Sequence, residues 1–373
     1  MMKYDIGILT FWNVPNYGTY AQAYALQKVI QEINIEKDVR QVAHLDEHHF
    51  NFYYDRKAYY RDYPIWKKSH WKSFFIKNGN DELKEKEFVD AYALIPHTEI
   101  VNKDNLHTYQ FDKVFLGSDI VWDYSIKVFN SDPLLFGQGF NAKEINAYAA
   151  SFGTVPVDAE LPDYVKTALK KIKYLSVRDE KSAKIVEKIT QVKPPIVLDP
   201  TWLWDFNKDD NIVEPNEKDY ILVYGQDFTQ MFIENLRKYA RVSGKRIIAL
   251  DCNEDHYTWC DKMIGQSELS PFQWIGYFKY ASAVATSTFH GITFSLIFNK
   301  KFAFCKTDFI MAKVDKFLKE LKLFELYDKD KNDVTGMLNH NFDYCYINNW
   351  IEEKRVASLN FLRKACGDQN GTK

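Results

Sequence analysis

The sequence predicts an α/β protein of two Rossmann-like domains, and three observations carry that expectation. Short apolar, β-branched runs alternate with stretches of helical spacing along most of the chain, which is the rhythm of a parallel sheet wrapped by helices. The rhythm breaks at a polar stretch, Trp204 to Asp219 with Pro215, and then restarts. The 373 residues also exceed what one hydrophobic core usually holds.

The first domain is expected over 1–204. Ile6 to Phe11 (IGILTF) reads as a buried strand, followed by the loop Asn13 to Gly18 with Pro15 and Gly18 as punctuation. Thr19 reads as the N-cap of a helix over Tyr20 to Ile33, where Ala21, Tyr24, Ala25, Val29 and Ile33 share a face. Val39 to Ala43 is the next strand. Residues 47–75 are rich in Tyr, Trp, His and Lys without a clean period. They read as an insertion, either an acceptor-binding flap or a packed surface excursion. Asp81 to Tyr92 is a charged amphipathic helix. Strands at Phe111 to Leu116 and Ile145 to Ser151 deliver Gly117-Ser118-Asp119 and Ser151-Phe152-Gly153 to one sheet edge. A helix over Leu161 to Ile172, a strand Tyr174 to Val177 ending at Arg178, a helix over Glu180 to Ile189 and a short strand Ile196 to Leu198 complete this half.

Residues 205–219 form the expected linker, and 220–347 the second domain. Its elements are a strand Tyr220 to Tyr224, a helix Thr229 to Val242 stopped by Gly244, a strand Arg246 to Leu250 and a helix Pro271 to Tyr280 opened by Ser270-Pro271. The strand Ala283 to Thr286 follows, then the turn Ser287 to Gly291 and an apolar helix, Ile292 to Phe298. The strand Lys301 to Cys305 and the helix Ala312 to Leu321 come next. A last helix from about Asn349 to Ala365 lies within 348–366 and is expected to pack back on the first domain, with a disordered tail behind it. Two such halves, facing across a cleft, describe a GT-B-type architecture.

Composition sets bounds. A net charge of −2 gives no nucleic-acid footprint. The five cysteines form no CxxC pair and are odd in number, which fits reduced thiols and neither a disulfide framework nor a zinc site. No His/Asp/Glu cluster has metal-ligand spacing. No signal peptide and no run of about 18 apolar residues is present, so a cytoplasmic protein is expected. A peripheral contact with the inner membrane face stays open, as does the oligomeric state. Aromatics at 16% suit a sugar cleft, and suit a core equally.

The stretch Ala281 to Phe298 organises the candidate site. His290 stands where a strand passes into a helix, the position where ligands meet helix N-termini in open α/β sheets, and Gly291 would allow close approach. A core histidine bonded to a carbonyl is the alternative. Arg178, at a strand end, is either an anion clamp or the partner of Asp179 or Asp199. Asn16, Tyr17, Gly18 and Thr19 would offer amides and hydroxyls to a phosphate or sugar, or only cap a helix. Asp119 is a base toward an acceptor hydroxyl or a turn cap with Ser118.

The chain resembles the polysaccharide pyruvyl transferase family, in the branch with NYG and SFHG motifs. The matching pieces are NYGTYAQAYALQ (Asn16 to Gln27), GSDIVW (Gly117 to Trp122), YAASFG (Tyr148 to Gly153), SVRDEKS (Ser176 to Ser182), LDPTWL (Leu198 to Leu203) and TSTFHGITFSLIFNKKF (Thr286 to Phe302). They occur in family order over nearly the whole chain. The resemblance implies transfer of a pyruvyl group from phosphoenolpyruvate to a sugar of a cell-surface polysaccharide or its lipid-linked precursor, giving a pyruvate ketal, with no cofactor. It implies His290 as the general acid and Arg178 as the clamp on the donor. Ser287, Thr288 and Gly291 fall in the same motif. Relatives often carry Arg at or beside Thr288, and Gln at Ile120. Here that charge is missing, and Lys300, Lys301, Lys306 or Arg246 are its candidate replacements. Two other readings stand beside this one: a nucleotide-sugar glycosyltransferase on the same frame, and a non-catalytic glycan-binding protein.

Overall fold

A computed structural model describes residues 1–55, 86–129, 131–252, 256–265, 268–328, 330 and 332–368. The chain divides into two compact units. One comprises Met1–Glu82, Val89–Trp204 and Lys354–Lys373; the other comprises Leu83–Phe88 and Asp205–Glu353.

The first unit is built on six strands: β1 (Met2–Leu9), β2 (Val39–Ala43), β3 (His97–Ile100), β4 (Tyr109–Leu116), β5 (Ala142–Ala150) and β6 (Leu175–Val177). All pairings are parallel, in the order β3-β2-β1-β4-β5-β6. This is the doubly wound order, in which the winding reverses between β1 and β4. Alternation along the strands builds two cores. Ile6, Ile8 and Phe115 face one way; Leu9, Val114 and Leu116 face the other. Leu362, Ala365 and Cys366, near the end of the helix Tyr344–Cys366, join the first of these cores.

The second unit holds β7 (Tyr220–Tyr224), β8 (Arg246–Cys252), β9 (Lys262–Gly265), β10 (Ala283–Thr286) and β11 (Lys301–Phe304). These are also all parallel, in the order β11-β10-β7-β8-β9, with the reversal between β7 and β10. The expected class, two parallel-sheet α/β domains, is therefore what the chain adopts.

Several elements differ from expectation. The first helix begins at Tyr17, and its N-cap is Asn16, not Thr19, because Asn16 is extended (φ −131°) and its side chain accepts from the Thr19 amide. The apolar helix begins at Phe289, capped by Thr288, and not at Ile292. The expected helix over Leu161 to Ile172 shrinks to Asp163–Leu169, since Pro162 stands at its start. Ile196 makes one bridge to Val177 rather than opening a strand. Two short edge strands, His97–Ile100 and Lys262–Gly265, carry too few apolar residues to be read from the sequence. Within the aromatic insertion, Glu47–Tyr54 is a helix capped by Asp46; residues 56–75 lie outside the described residues. So does the start of the charged helix expected from Asp81, of which 86–93 is helical, and the tail from 369.

Candidate active site

In each unit the predicted residues lie at the carboxyl edge of the sheet, most of them on the loops that flank the winding reversal, with Arg178 following the edge strand β6. That is where an open α/β sheet leaves a crevice.

In the first unit these loops follow β1 and β4. Asn16 is exposed; Tyr17, Gly18 and Thr19 are the buried first turn of the helix Tyr17–Ile33, not an open loop. The Thr19 amide is taken by Asn16 Oδ1 (3.1 Å) and the Tyr20 amide by the Asn16 carbonyl (2.9 Å). The hydroxyl of Thr19 donates to Asp119 Oδ2 at 3.2 Å, so the NYG motif is tied directly to the GSD motif. Thr10 donates to the Ser118 carbonyl (2.9 Å), and Gln22 donates to Thr10 (3.1 Å), which closes the same seam from below.

Asp119 adopts φ +76°, the left-handed region that a non-glycine residue enters at some cost. Its Oδ1 accepts from the Ile120 amide at 2.9 Å, and its backbone bridges to Ala150, the last residue of β5. The Arg178 guanidinium, only 7% exposed, lies 2.9 Å from Asp199 Oδ2 and 3.6 Å from Asp119 Oδ1. Burial alone would lower the pKa of Arg178, but Asp119, Asp199 and Asp179 together raise it, so the cation is secure. Of the two readings of Arg178, the ion pair with Asp199 is present. One cation facing two carboxylates leaves this cluster with a formal charge of −1.

Ser118 is fully buried and donates to Asp199 Oδ2 at 3.3 Å, so it supports that carboxylate instead of capping a turn or facing a ligand. Asp179 does not pair with Arg178 through any short contact. It caps the helix Glu180–Thr190 at the Ser182 amide (2.7 Å) and accepts from Ser151 (2.6 Å).

One carboxylate went unnoticed in the sequence: Asp123, buried directly after GSDIVW, which accepts from the hydroxyls of Ser125 (2.5 Å) and Thr154 (2.7 Å) and from the Thr154 amide. It ties the end of the β4 motif to the residue after YAASFG. The only signal in the sequence was its adjacency to a motif.

In the second unit the loops follow β7 and β10. Ser287 is buried, donates to the Gln226 carbonyl (2.6 Å) and accepts from the Gln226 amide (2.9 Å), which pins the two loops together across the reversal. Thr286 donates to the Tyr224 carbonyl (2.7 Å) and lies 3.1 Å from the Thr288 hydroxyl. Thr288 caps the helix Phe289–Ile297 through the Gly291 amide at 3.0 Å. His290 is the second residue of that helix. It is half-buried, and its ring stands edge-on to Phe289 with 5.1 Å between centroids. Gly291 serves packing: a Cβ there would lie 2.0 Å from Thr286 Oγ1. Thr288, where relatives often carry Arg, thus supplies a cap and no charge. Of its candidate replacements, Lys306 is committed to Asp328 at 2.5 Å.

Among the described residues, no group of three or more His, Cys, Asp or Glu is placed to hold a metal ion, and no helix is long and apolar enough to cross a membrane. The five cysteines are free thiols. A cavity of about 250 Å³ lies elsewhere, between the loop at Val157 to Leu161 and Ile185 and Ile189 of the helix Glu180–Thr190. None of the predicted site residues lines it.

No curated protein matches the chain. Among solved structures, it is similar to a S. aureus MnaA–UDP co-structure (13% identity, 97% of this chain and 98% of that one, TM-score 0.46). It is similar to the UDP-GlcNAc 2-epimerase from Methanocaldococcus jannaschii (11%, 94% and 100%, 0.46). Arabidopsis thaliana UGT89C1 complexed with UDP-L-rhamnose is a third (10%, 98% and 100%, 0.46). The family model described as polysaccharide pyruvyl transferase matches residues 16–308, from the NYG motif to beyond β11 and across both winding reversals. The chain belongs to the polysaccharide pyruvyl transferase family.

Proposed function

We propose that this enzyme transfers a pyruvyl group from phosphoenolpyruvate to a sugar of a cell-surface polysaccharide, or of its lipid-linked precursor, and closes a pyruvate ketal. The supporting observation is that the family match takes in the loops at both winding reversals, with Asp119 and His290, and also Arg178 beyond β6.

The chemistry assigns roles. The central carbon of the donor is electrophilic once its methylene carbon takes a proton. His290, protonated, delivers that proton. A sugar hydroxyl adds to the central carbon and gives its proton to Asp119. The neutral imidazole of His290 then accepts the proton of a second sugar hydroxyl, whose oxygen displaces phosphate and closes the ring. Asp119 returns its proton to the departing phosphate. The carboxylate of the donor takes the side of Arg178 that Asp119 approaches at 3.6 Å, a longer and weaker ion pair than that with Asp199. With Thr288 in place of a cation, the N-terminus of the helix Phe289–Ile297 contributes partial positive charge to an anionic ligand. No cofactor enters this scheme. The reaction runs in the cytoplasm, at the inner membrane face when the acceptor is lipid-linked.

The test is release of orthophosphate from phosphoenolpyruvate in the presence of candidate free and lipid-linked sugars. The wild-type protein should release it only with an acceptor, and His290→Ala should lose at least about a hundredfold in rate, the usual lower bound for a positioned acid. Undiminished release by His290→Ala would remove this residue from the acid role. Thermal stabilisation by a nucleotide sugar, with none by phosphoenolpyruvate, would replace the scheme with glycosyl transfer.

A further inference from the structure

We propose that Asp199 is the positioning residue of the donor site: it fixes the guanidinium of Arg178 so that Asp119 stays the exchangeable partner. This inference rests on the pyruvyl-transfer reading and deepens it.

Two carboxylates flank Arg178, and they are not equivalent. The side chain of Asp199 is fully buried, whereas that of Asp119 is 15% exposed. Asp199 Oδ1 accepts from the Thr201 amide (3.1 Å) and the Thr201 hydroxyl (2.8 Å). Its Oδ2 accepts from Arg178 Nη1 (2.9 Å) and the Ser118 hydroxyl (3.3 Å). Each oxygen thus takes two hydrogen bonds, which fills the acceptor capacity of a carboxylate and leaves it no room to rotate. The backbone around it is held as well. Pro200 and Trp202 bound a 3₁₀ turn that Asp199 caps, the Tyr148 hydroxyl donates to the Leu198 carbonyl (2.9 Å), and the Leu198 amide donates to Ser358 (3.0 Å).

Asp119 is held by bonds of its own, from the Ile120 amide (2.9 Å) and the Thr19 hydroxyl (3.2 Å), but not by Arg178: at 3.6 Å from Nη2 it is outside hydrogen-bond distance, and its backbone sits at φ +76°. Of these two carboxylates only Asp199 is hydrogen-bonded to Arg178, and a ligand carboxylate would replace the 3.6 Å contact of Asp119 without disturbing that anchor. Ser118, Arg178 and Asp199 come from beyond β4, beyond β6 and from the LDPTWL motif, so three segments far apart in sequence hold one guanidinium in a single orientation.

Kinetics and spectroscopy test this together. If Asp199 acts through Arg178, Asp199→Asn should raise KM for phosphoenolpyruvate about tenfold or more while kcat changes by less than about threefold. The double variant Asp199→Asn/Arg178→Ala should be no worse than Arg178→Ala alone. Fully additive losses, or an unchanged KM, would overturn the proposal. A second readout needs no turnover. Nitrogen-15 signals of the Arg178 guanidinium should be resolved in the wild-type protein and collapse on free rotation in Asp199→Asn; signals that persist in the variant would overturn it. If the wild-type protein releases no phosphate from phosphoenolpyruvate, the pyruvyl-transfer reading fails, and the nitrogen-15 result still decides what holds Arg178. If Asp199→Asn does not fold, Ser118→Ala, which removes one bond to Asp199 and keeps every charge, should raise KM about twofold to threefold, and an unchanged KM there counts against the proposal.

Discussion

Gly291 and Thr286 meet where a helix leaves the end of a strand, and no side chain fits between them. A Cβ on residue 291 would lie 2.0 Å from Thr286 Oγ1 and 2.7 Å from Thr288 Oγ1, and these two hydroxyls hold the Tyr224 carbonyl and the helix cap. Gly291→Ala should therefore cost about 1–3 kcal/mol, the range for forcing extra volume into a packed site. Urea unfolding would show it as a lower midpoint at unchanged slope. Activity should fall too, since His290 rides on the same turn. At this scale the sequence was readable where a bond is local. Ser287 and Thr288 stood out as hydroxyls before a helix, and Thr288 is its cap. The sequence was silent where a bond spans long separations. Ser118 and Asp199 are 81 residues apart, and nothing in either stretch says that one donates to the other.

At the scale of elements, two histidines near the end of β2 set opposite pH limits. His44 has Nδ1 2.8 Å from the Val101 carbonyl and Nε2 2.5 Å from Asp132 Oδ2, so both ring nitrogens face acceptors. Burial works against protonation, yet the bond and charge of Asp132, the Val101 carbonyl and Asp46 outweigh it and raise the pKa above 6.5. A group raised in the folded state contributes stability that is fully present below its unfolded pKa and lost as pH climbs through the folded value. His44→Gln should then cost more at pH 6 than at pH 9.

His49 is the reverse case. It packs against Phe11 and Phe129 with centroids 4.8 and 5.0 Å away, and burial, aided by His44 and His48 and opposed by Asp132, pushes its pKa down to about 3. It folds neutral, so below 6.5 the unfolded chain binds the extra proton and stability falls by about 1.4 kcal/mol per pH unit. His49→Phe should flatten that acid limb and change little above pH 7; thermal melts at pH 5 and pH 8 would separate the two effects. Elements themselves were legible in proportion to their burial. The strands Val39–Ala43, Tyr220–Tyr224 and Ala283–Thr286 and the helix Pro271–Tyr280 are where apolar runs and caps placed them. The strand His97–Ile100 buries only Thr98, so it has no apolar signature to read.

For the molecule as a whole, the last helix closes the first sheet. Leu362 is fully buried with Ile6 and Ile8, the Ala365 carbonyl accepts from Lys113 (3.0 Å), and Arg355 reaches the Leu203 carbonyl (2.7 Å). A core assembled from both ends of the chain is vulnerable at either end. Leu362→Ala should cost about 2–5 kcal/mol, the range for an emptied leucine site, and a urea titration would measure it. The sequence by itself determined the strand-and-helix alternation, the restart after the polar stretch and the family motifs, because hydrophobic period and capping chemistry act over a few neighbouring residues. Only the tertiary structure decided strand order, the joining of the NYG and GSD motifs at a winding reversal, and which carboxylate anchors Arg178. Those depend on contacts between residues tens to hundreds of positions apart, which no local pattern encodes.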